Sequence, residues 1–327
     1  MQNNTRFPLY GGCAVITTFR CNSHCKMCHR HEHQSKANEE FSPDLILKLP
    51  HMWAMNITGG EPFLRDDIEK IVENAYKRAQ IVSISTNGTQ EEKILKLMKK
   101  FPKTRLRISI EGIANTNDSI RGIRGGYIKI INLILNLKIL DYKHVGLSIT
   151  VGDNNYEDLL PLYDFCRKHE IEFATGTVHN SFFFESTDNA INHKKEVSNA
   201  LNELADRMQK EGTFKEKYRA IFNRELVKYV NGEPIRFPCY AANGFFALSP
   251  YGDVLACVGS ELPREIGNIT YNSFEDVWDS EKANNIRQVC SICNRNCCMS
   301  GHVGVAMRKE VIQLLPEALL GRKDNGR

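Results

Sequence analysis

The sequence predicts an α/β protein: a partial (β/α)6 barrel, the first large unit, followed by a small C-terminal α+β extension. Three observations predict it. From residue 13 onward, short apolar runs alternate with helical spacings in six successive units, a rhythm that implies parallel strands with helical crossovers. Six units rather than eight leave the barrel open. Unusual residues fall where the strands should end, and carboxyl ends of strands carry function in such folds.

Cys13–Thr18 reads as the first strand, followed by a Cys/His-rich loop and a helix near Asp44–Leu49 that stops at Pro50. Ala54–Thr58 is a second strand, ending at Gly59-Gly60. Asp66–Arg78 has helical spacing with acidic residues in its first turn, which suits the helix dipole. Ile81–Thr86 is a third strand, Glu91–Lys100 a helix and Thr104–Ile110 a fourth strand. A glycine-rich loop then runs to Gly126. Ile128–Leu140 is an apolar helix with a polar stripe of Lys129, Asn132 and Asn136. Val145–Val151, Tyr156–Lys168 and Ile171–Val178 complete the series as strand, helix and strand. Ile191–Val230 reads as two helices broken near Gly212. Phe245–Ser249 and Val254–Cys257 form a hairpin across Ser-Pro-Tyr-Gly-Asp, Ser273–Gln288 is helical, and Val303–Leu320 is an amphipathic helix covering the barrel. The expected units are 1–190 (barrel), 191–237 (helical connection), 238–301 (extension) and 302–327 (helix and tail).

With 42% hydrophobic and 25% charged residues over 327 positions, the chain can bury a core, which excludes disorder as its main state. No apolar run approaches the ~20 residues that span a bilayer. The first dozen residues are polar, without a signal-peptide core, so a cytoplasmic location is expected. A net charge of +4 does not by itself call for nucleic acid. The 11 cysteines are the exceptional feature. Clustered cysteines in a reducing compartment point to metal or redox chemistry. Cys13 and Cys166 stand alone and read as small buried hydrophobes.

Cys21, Cys25 and Cys28 occupy one loop directly after the first strand. Three thiolates at this spacing can hold three corners of a cubane and leave one iron without a protein ligand. A zinc site completed by His24, His29, His31 or His33 is the alternative. This loop, followed by Gly59-Gly60-Glu61-Pro62 at the end of the second strand, resembles the radical S-adenosylmethionine (SAM) superfamily. The resemblance covers about residues 13–180. It implies a [4Fe–4S] cluster on Cys21, Cys25 and Cys28 and SAM on the open iron. It also implies reductive cleavage to a 5′-deoxyadenosyl radical, which takes a hydrogen atom from a substrate C–H bond. Gly59, Gly60, Glu61 and Pro62 would bind the SAM amino group. Ser85, Asn87, Ser109 and Glu111 would line the SAM site, Arg121 would pair with its carboxylate, and Asp118 would organise that loop. Met27 stands where the family often has an aromatic residue near adenine, and Glu111 where aspartate is commoner.

The later cysteines are Cys239, Cys257, Cys290, Cys293, Cys297 and Cys298. With Gly252 and the Ser273–Trp278 stretch they resemble the SPASM extension or its shorter Twitch form, which binds auxiliary iron–sulfur clusters. Six cysteines imply one auxiliary [4Fe–4S] cluster. Cys239 and Cys257 are the firmest ligands and Cys293 with Cys297 the favoured remainder, Cys290 or Cys298 being possible instead. A structural zinc knob is the alternative. An unused Cys290 or Cys298 could return a hydrogen atom to a substrate radical, or serve only in packing.

Two further features bear on partners. Lys93–Arg107 is basic and could dock an acidic flavodoxin- or ferredoxin-type electron donor, or be a solvated face. His179–Phe184, after the sixth strand, suits substrate binding or loop packing. Only a dozen residues precede the first strand, and Val258 stands where sulfatase-maturing relatives place an aspartate. Both lead us to expect a radical enzyme that oxidises or epimerises a small molecule such as a sugar or aminoglycoside-like metabolite. The alternatives are a SPASM-type peptide or protein maturase forming thioether or carbon–carbon links and, more remotely, a non-catalytic iron–sulfur carrier.

Overall fold

The computed structural model describes residues 7–9, 11–261 and 263–321; the last six positions of the expected tail lie outside them. Six parallel strands form the first part: β1 (Gly12–Ile16), β2 (Met52–Thr58), β3 (Ala79–Thr86), β4 (Arg105–Ser109), β5 (Val145–Val151) and β6 (Glu172–Thr177). The crossovers carry α1 (Ile68–Tyr76), α2 (Glu91–Lys100), α3 (Asn115–Arg121), α4 (Gly126–Ile139) and α5 (Leu159–Lys168). Strands and crossovers match the expected order. Two local expectations change. The segment after β1 holds 3-10 turns at Ala37–Glu39 and Pro43–Lys48 rather than an α-helix, and Pro50 bars the second from extending further. The glycine-rich loop contains α3, whose end Gly122 caps in the left-handed region at φ 62°.

Side chains alternate along the strands as the pleat requires. Met55, Ile57, Val82, Ile84, Leu106, Ile108 and Leu147 are buried in the main core. The residues between them face the barrel interior and are polar: Asn56, Thr58, Ser83, Ser85, Arg107, Ser148 and Thr150. The main core is thus built outside the sheet, and the inside is left as a chamber in which these polar strand residues face apolar ones such as Ile16, Phe245 and Val258.

Two long helices follow, α6 (Lys194–Glu211) and α7 (Phe214–Asn231), the second opened by a capping box between Thr213 and Glu216. The extension holds β7 (Phe245–Leu248), β8 (Asp253–Leu255) and β9 (Glu265–Asn268). The helix expected over Ser273–Gln288 is two helices, α8 (Phe274–Trp278) and α9 (Glu281–Ser291), because Ser280 caps a new start by accepting from the Ala283 N–H. The last expected helix is likewise two, α10 (Ser300–Lys309) and α11 (Val311–Leu320).

The sheet order is β6-β5-β4-β3-β2-β1-β7-β8-β9. β7 pairs with β1 in parallel, Gly12 opposite Phe245 and Val15 opposite Leu248. The hairpin of the extension therefore continues the barrel sheet. Packing of α10 against β1 and β7 places the C-terminal segment beside the barrel interior.

Candidate functional site

The cysteine loop is held on two sides by backbone. On one side the Gly60 N–H donates to Thr18 O and the Glu61 N–H to Arg20 O, both at 2.8 Å. A Cβ on Gly60 would stand 2.2 Å from Arg20 O and 2.9 Å from Cys21 Cβ, so only glycine permits this approach. On the other side His24 N donates to Arg121 O (3.1 Å) and Lys26 N to Ile120 O (2.9 Å), which docks the loop on α3. Asp118 organises the turn into α4, accepting from Gly125 N at 2.6 Å and Tyr127 N at 2.8 Å.

Cys21, Cys25 and Cys28 are unbridged and partly exposed. Burial raises all three thiols, Cys28 to about 11. They are protonated at neutral pH until a metal displaces the proton. The Ser23 N–H points at Cys21 Sγ, 3.5 Å away. Buried Arg121 stands among Cys21, Cys25, Glu111 and Glu61. A thiol trio beside a buried cation suits an anionic iron–sulfur cluster.

Gly59–Pro62 closes the end of β2. The Glu61 carboxylate, fully buried, turns into the protein: Oε1 accepts from Phe63 N (3.1 Å) and Thr86 Oγ1 (2.8 Å), and Oε2 from Asn87 N (2.7 Å). Its side chain braces the end of β3, leaving the glycine backbone to face a ligand. Asn87 is also a brace, donating to Asn22 Oδ1 (2.7 Å) and Ser23 Oγ (2.8 Å) of the cysteine loop. Ser109 ends β4 opposite Ser148. Glu111 lies within 3.3 Å of Arg121 Nη1 and accepts from Thr150 N at 2.7 Å. Burial pushes its carboxyl up to about 7 against both partners. Sequence reasoning missed the clamp beneath this loop. Arg20 donates to both oxygens of buried Glu40, at 3.0 and 2.9 Å, and Ser35 Oγ lies 2.7 Å from Glu40 Oε1. No motif marks Glu40; only the fold brings it there.

A chamber of about 530 Å³ fills the barrel. Met27, Ser85, His179, Phe183, Phe184, Val258 and Cys298 all line it. A neighbouring cavity of about 300 Å³ shares Met27, Thr150, Val178 and Asn189. The loop after β6 divides its work: His179 and the phenylalanines face the chamber, whereas Asn180 exchanges hydrogen bonds with Asn189 at 2.8 and 3.0 Å.

In the extension, Cys257 and Cys293 lie within electrostatic reach of each of Cys239, Cys290 and Cys297, and Cys239 within reach of Cys290. The Gly259 N–H donates to Cys257 Sγ at 3.2 Å. A Cβ on Gly259 would stand 3.8 Å from both Cys257 Sγ and Cys297 Sγ, which places these two thiols on either side of the same glycine. Cys290 belongs to this group, buried at the end of α9 and away from the chamber residues. Of the two thiols expected to be free to serve a substrate, Cys290 is thus not among the described residues lining the chamber. Cys298 diverges from the group and faces the chamber. Among the described residues no three His, Cys, Asp or Glu side chains converge on a single metal ion. Cubane ligands each take a different iron and need no such convergence. Of the basic run, Lys93 pairs with Asp66 and Lys100 with Glu69, which removes part of the charge that would greet an acidic donor. No helix of the described residues is long and apolar enough to cross a membrane.

Fold, thiol loop and barrel chamber are those of a partial-barrel iron–sulfur protein. The chain belongs to the radical SAM superfamily, whose family model matches residues 15–166, and carries the SPASM iron–sulfur cluster-binding domain, matched at residues 239–299. Its cofactors are SAM with a [4Fe–4S] cluster and an auxiliary iron–sulfur cluster. Among curated proteins it is 29% identical to Fe-coproporphyrin III synthase of Methanosarcina barkeri, over 47% of this chain and 40% of that protein. It is 25% identical to the sporulation killing factor maturation protein SkfB of Bacillus subtilis, over 47% of this chain and 39% of SkfB. The match thus spans less than half the length of either relative. The structure of anSMEcpe with bound AdoMet and Cp18Cys peptide superposes with a TM-score of 0.65 at 16% identity, covering 94% of this chain and 98% of that one.

Proposed function

We propose that this radical SAM enzyme modifies a peptide or protein, acting on a C–H bond held in the barrel chamber. The observation that carries the reading is the extent of the fold likeness. It runs through barrel and extension alike to a chain whose structure holds a peptide, and a maturation protein stands among the curated relatives. When bound, SAM and the core cluster supply hydrogen-atom abstraction from an unactivated carbon.

The chain's own residues supply position. Cys21, Cys25 and Cys28 hold the core cluster. Gly59, Gly60 and Glu61 present backbone to the SAM amino group, Pro62 fixes the turn that follows, and Arg121 receives its carboxylate. Ser85, Ser109 and Met27 face the ligand, while Asn87 and Glu111 set the loops around it. Cys239, Cys257, Cys293 and Cys297 hold the auxiliary cluster, with Cys290 in reserve. Cys298 faces the substrate. Burial, with Glu225 and Cys297 nearby, keeps its thiol far above the ordinary range, so it stays in the S–H form that can give up a hydrogen atom. Val258 lines the chamber and cannot take a proton, so a mechanism that needs a carboxylate base at that place is disfavoured. Strand hydroxyls and amides on the chamber wall, Asn56, Ser83 and Ser148 among them, support the second reading, oxidation or epimerisation of a small molecule.

The test incubates anaerobically reconstituted, reduced enzyme with SAM and either peptide pools or metabolite pools. Peptide-dependent 5′-deoxyadenosine with a matching mass change in one peptide is expected. Stimulation by metabolites alone would overturn the peptide reading in favour of the second.

A further inference from the structure

The chamber's charge is one-sided. No Asp or Glu is among the described residues lining it, and its charged side chains are Arg107 and Arg308. Arg107 rises from the middle of β4 and leans across β5. A Cβ on Gly146 would stand 1.8 Å from Arg107 Nη1, so the glycine makes room for the guanidinium. Its Nη2 pairs with Glu172 at the start of β6. Its Nη1 is buried and has no acceptor. Glu172 cannot serve as that acceptor's substitute, because it is shared with Lys215 and Arg219. Although burial raises it, Arg107, Lys215 and Arg219 together hold its carboxyl well below the usual range. Three cations thus share the one permanently ionised Glu172 carboxylate, with Glu216 also near Arg219. Arg308 of α10 lines the chamber as well, with Nη2 3.1 Å from where a Cβ of Gly12 would be.

The same wall offers neutral polar groups. Asn56, Ser83, Ser148 and Thr175 face the chamber. A buried guanidinium nitrogen without a partner is rare in native proteins and calls for a missing ligand. Planar guanidinium donors match carboxylate and phosphate oxygens. A low-dielectric chamber lined by one sign of charge concentrates the opposite charge.

We propose that the inner wall of the chamber is an oxyanion subsite, in which Arg107, with Arg308 and the strand hydroxyls, receives a carboxylate or phosphate carried by the substrate. The inference rests on the reading that this chamber takes the substrate, and it deepens that reading by naming the group the substrate must bear. For a peptide, that group is an acidic side chain or a terminal carboxylate. Anchoring it two residues below Ser109 holds the substrate beneath the cofactor motifs. This site is distinct from Arg121, which lies on the cysteine-loop side.

The experiment uses the reconstituted holoenzyme with SAM present. Inorganic phosphate and succinate are titrated separately by calorimetry into wild type, Arg107→Met and Arg107→Lys. Saturable binding of at least one anion is expected, weakened tenfold or more by Arg107→Met and less by Arg107→Lys, with SAM affinity unchanged in all three. Preference for phosphate or succinate tells which source the wall is built for. Unaltered anion binding in Arg107→Met, no anion binding in wild type, or loss of SAM affinity in its place would each overturn the proposal. Circular dichroism melts confirm that the variants fold; if Arg107→Met does not, Arg107→Lys carries the comparison. Because the readout is anion binding, it stands apart from the peptide assay. Anion binding with no peptide activity would leave the subsite and remove the peptide reading, and the reverse result would do the opposite.

Discussion

Replacing Glu61 with glutamine probes the brace behind the SAM motif. The two side chains have the same shape, but an amide presents only one acceptor. The carboxylate is fully buried and receives backbone N–H groups on both sides, from Phe63 on Oε1 and from Asn87 on Oε2. Whichever way the amide turns, its NH2 faces one of those N–H groups. Thr86 can rotate its hydroxyl to adapt; a backbone N–H cannot. One hydrogen bond is lost, worth about 1 kcal/mol, and buried donors are left unsatisfied at about 1–3 kcal/mol more. A local destabilisation of about 2–4 kcal/mol results. It spreads to the cysteine loop because Asn87 also holds Asn22 and Ser23. Native-state hydrogen exchange measures it directly: the Phe63 and Asn87 amides should exchange ~30- to 1,000-fold faster, at ~1.4 kcal/mol per decade. Iron content after reconstitution should fall with it. Wild-type protection at both amides in a folded Glu61→Gln protein would refute the brace.

Gly60→Ala should prevent stable cluster assembly, since its Cβ meets Arg20 O at 2.2 Å; reconstitution to the full iron content would contradict the close approach. Iron counting separates the late cysteines: Cys298→Ala should keep about eight irons per chain, and Cys257→Ala should fall to about four. His302 is buried with neither ring nitrogen paired, its pKa lowered to about 4 by burial alone. A depressed pKa contributes stability that is whole above pH ~6.5 and is lost as pH falls toward 4, up to about 3 kcal/mol. Urea unfolding at pH 7 and pH 5 should show His302→Leu losing less stability than wild type over that interval; identical losses would mean the imidazole finds a partner.

The barrel was legible because its signals are periodic or local. Alternation in Ala54–Thr58 and Val145–Val151 fixes strands, and the spacings of Cys21, Cys25 and Cys28 and of Gly59–Pro62 are short-range patterns. What could not be read depends on contacts remote in sequence. Nothing local says that Phe245–Leu248 lies parallel to β1. Nothing local says that Glu40 clamps Arg20, or that Asn87 braces the cysteine loop rather than only facing a ligand. The adjacent pair Cys297 and Cys298 shows the limit well. In sequence they are interchangeable, and in the fold one thiol joins the auxiliary group while the next faces the chamber.

That divergence follows from how the barrel is completed. The open six-stranded barrel sheet has β6 and β1 as its edges, and a bare β1 edge would be an open template for pairing. Pairing of β7 with β1 removes that edge and draws the extension along the barrel wall. Val258, Cys298, Met299 and Arg308, all late in the chain, thereby come to line a chamber whose other walls are β1–β6. The auxiliary cysteines sit immediately outside the same wall, one residue from Cys298. Met27 of the first thiol loop and Cys298 of the extension both line this chamber, so the proposed substrate would meet the cofactor loop and an S–H group of the extension. The extension is therefore a wall of the reaction chamber as well as a cluster-binding domain, and the chemistry of this enzyme should depend on it even where the auxiliary cluster transfers no electron.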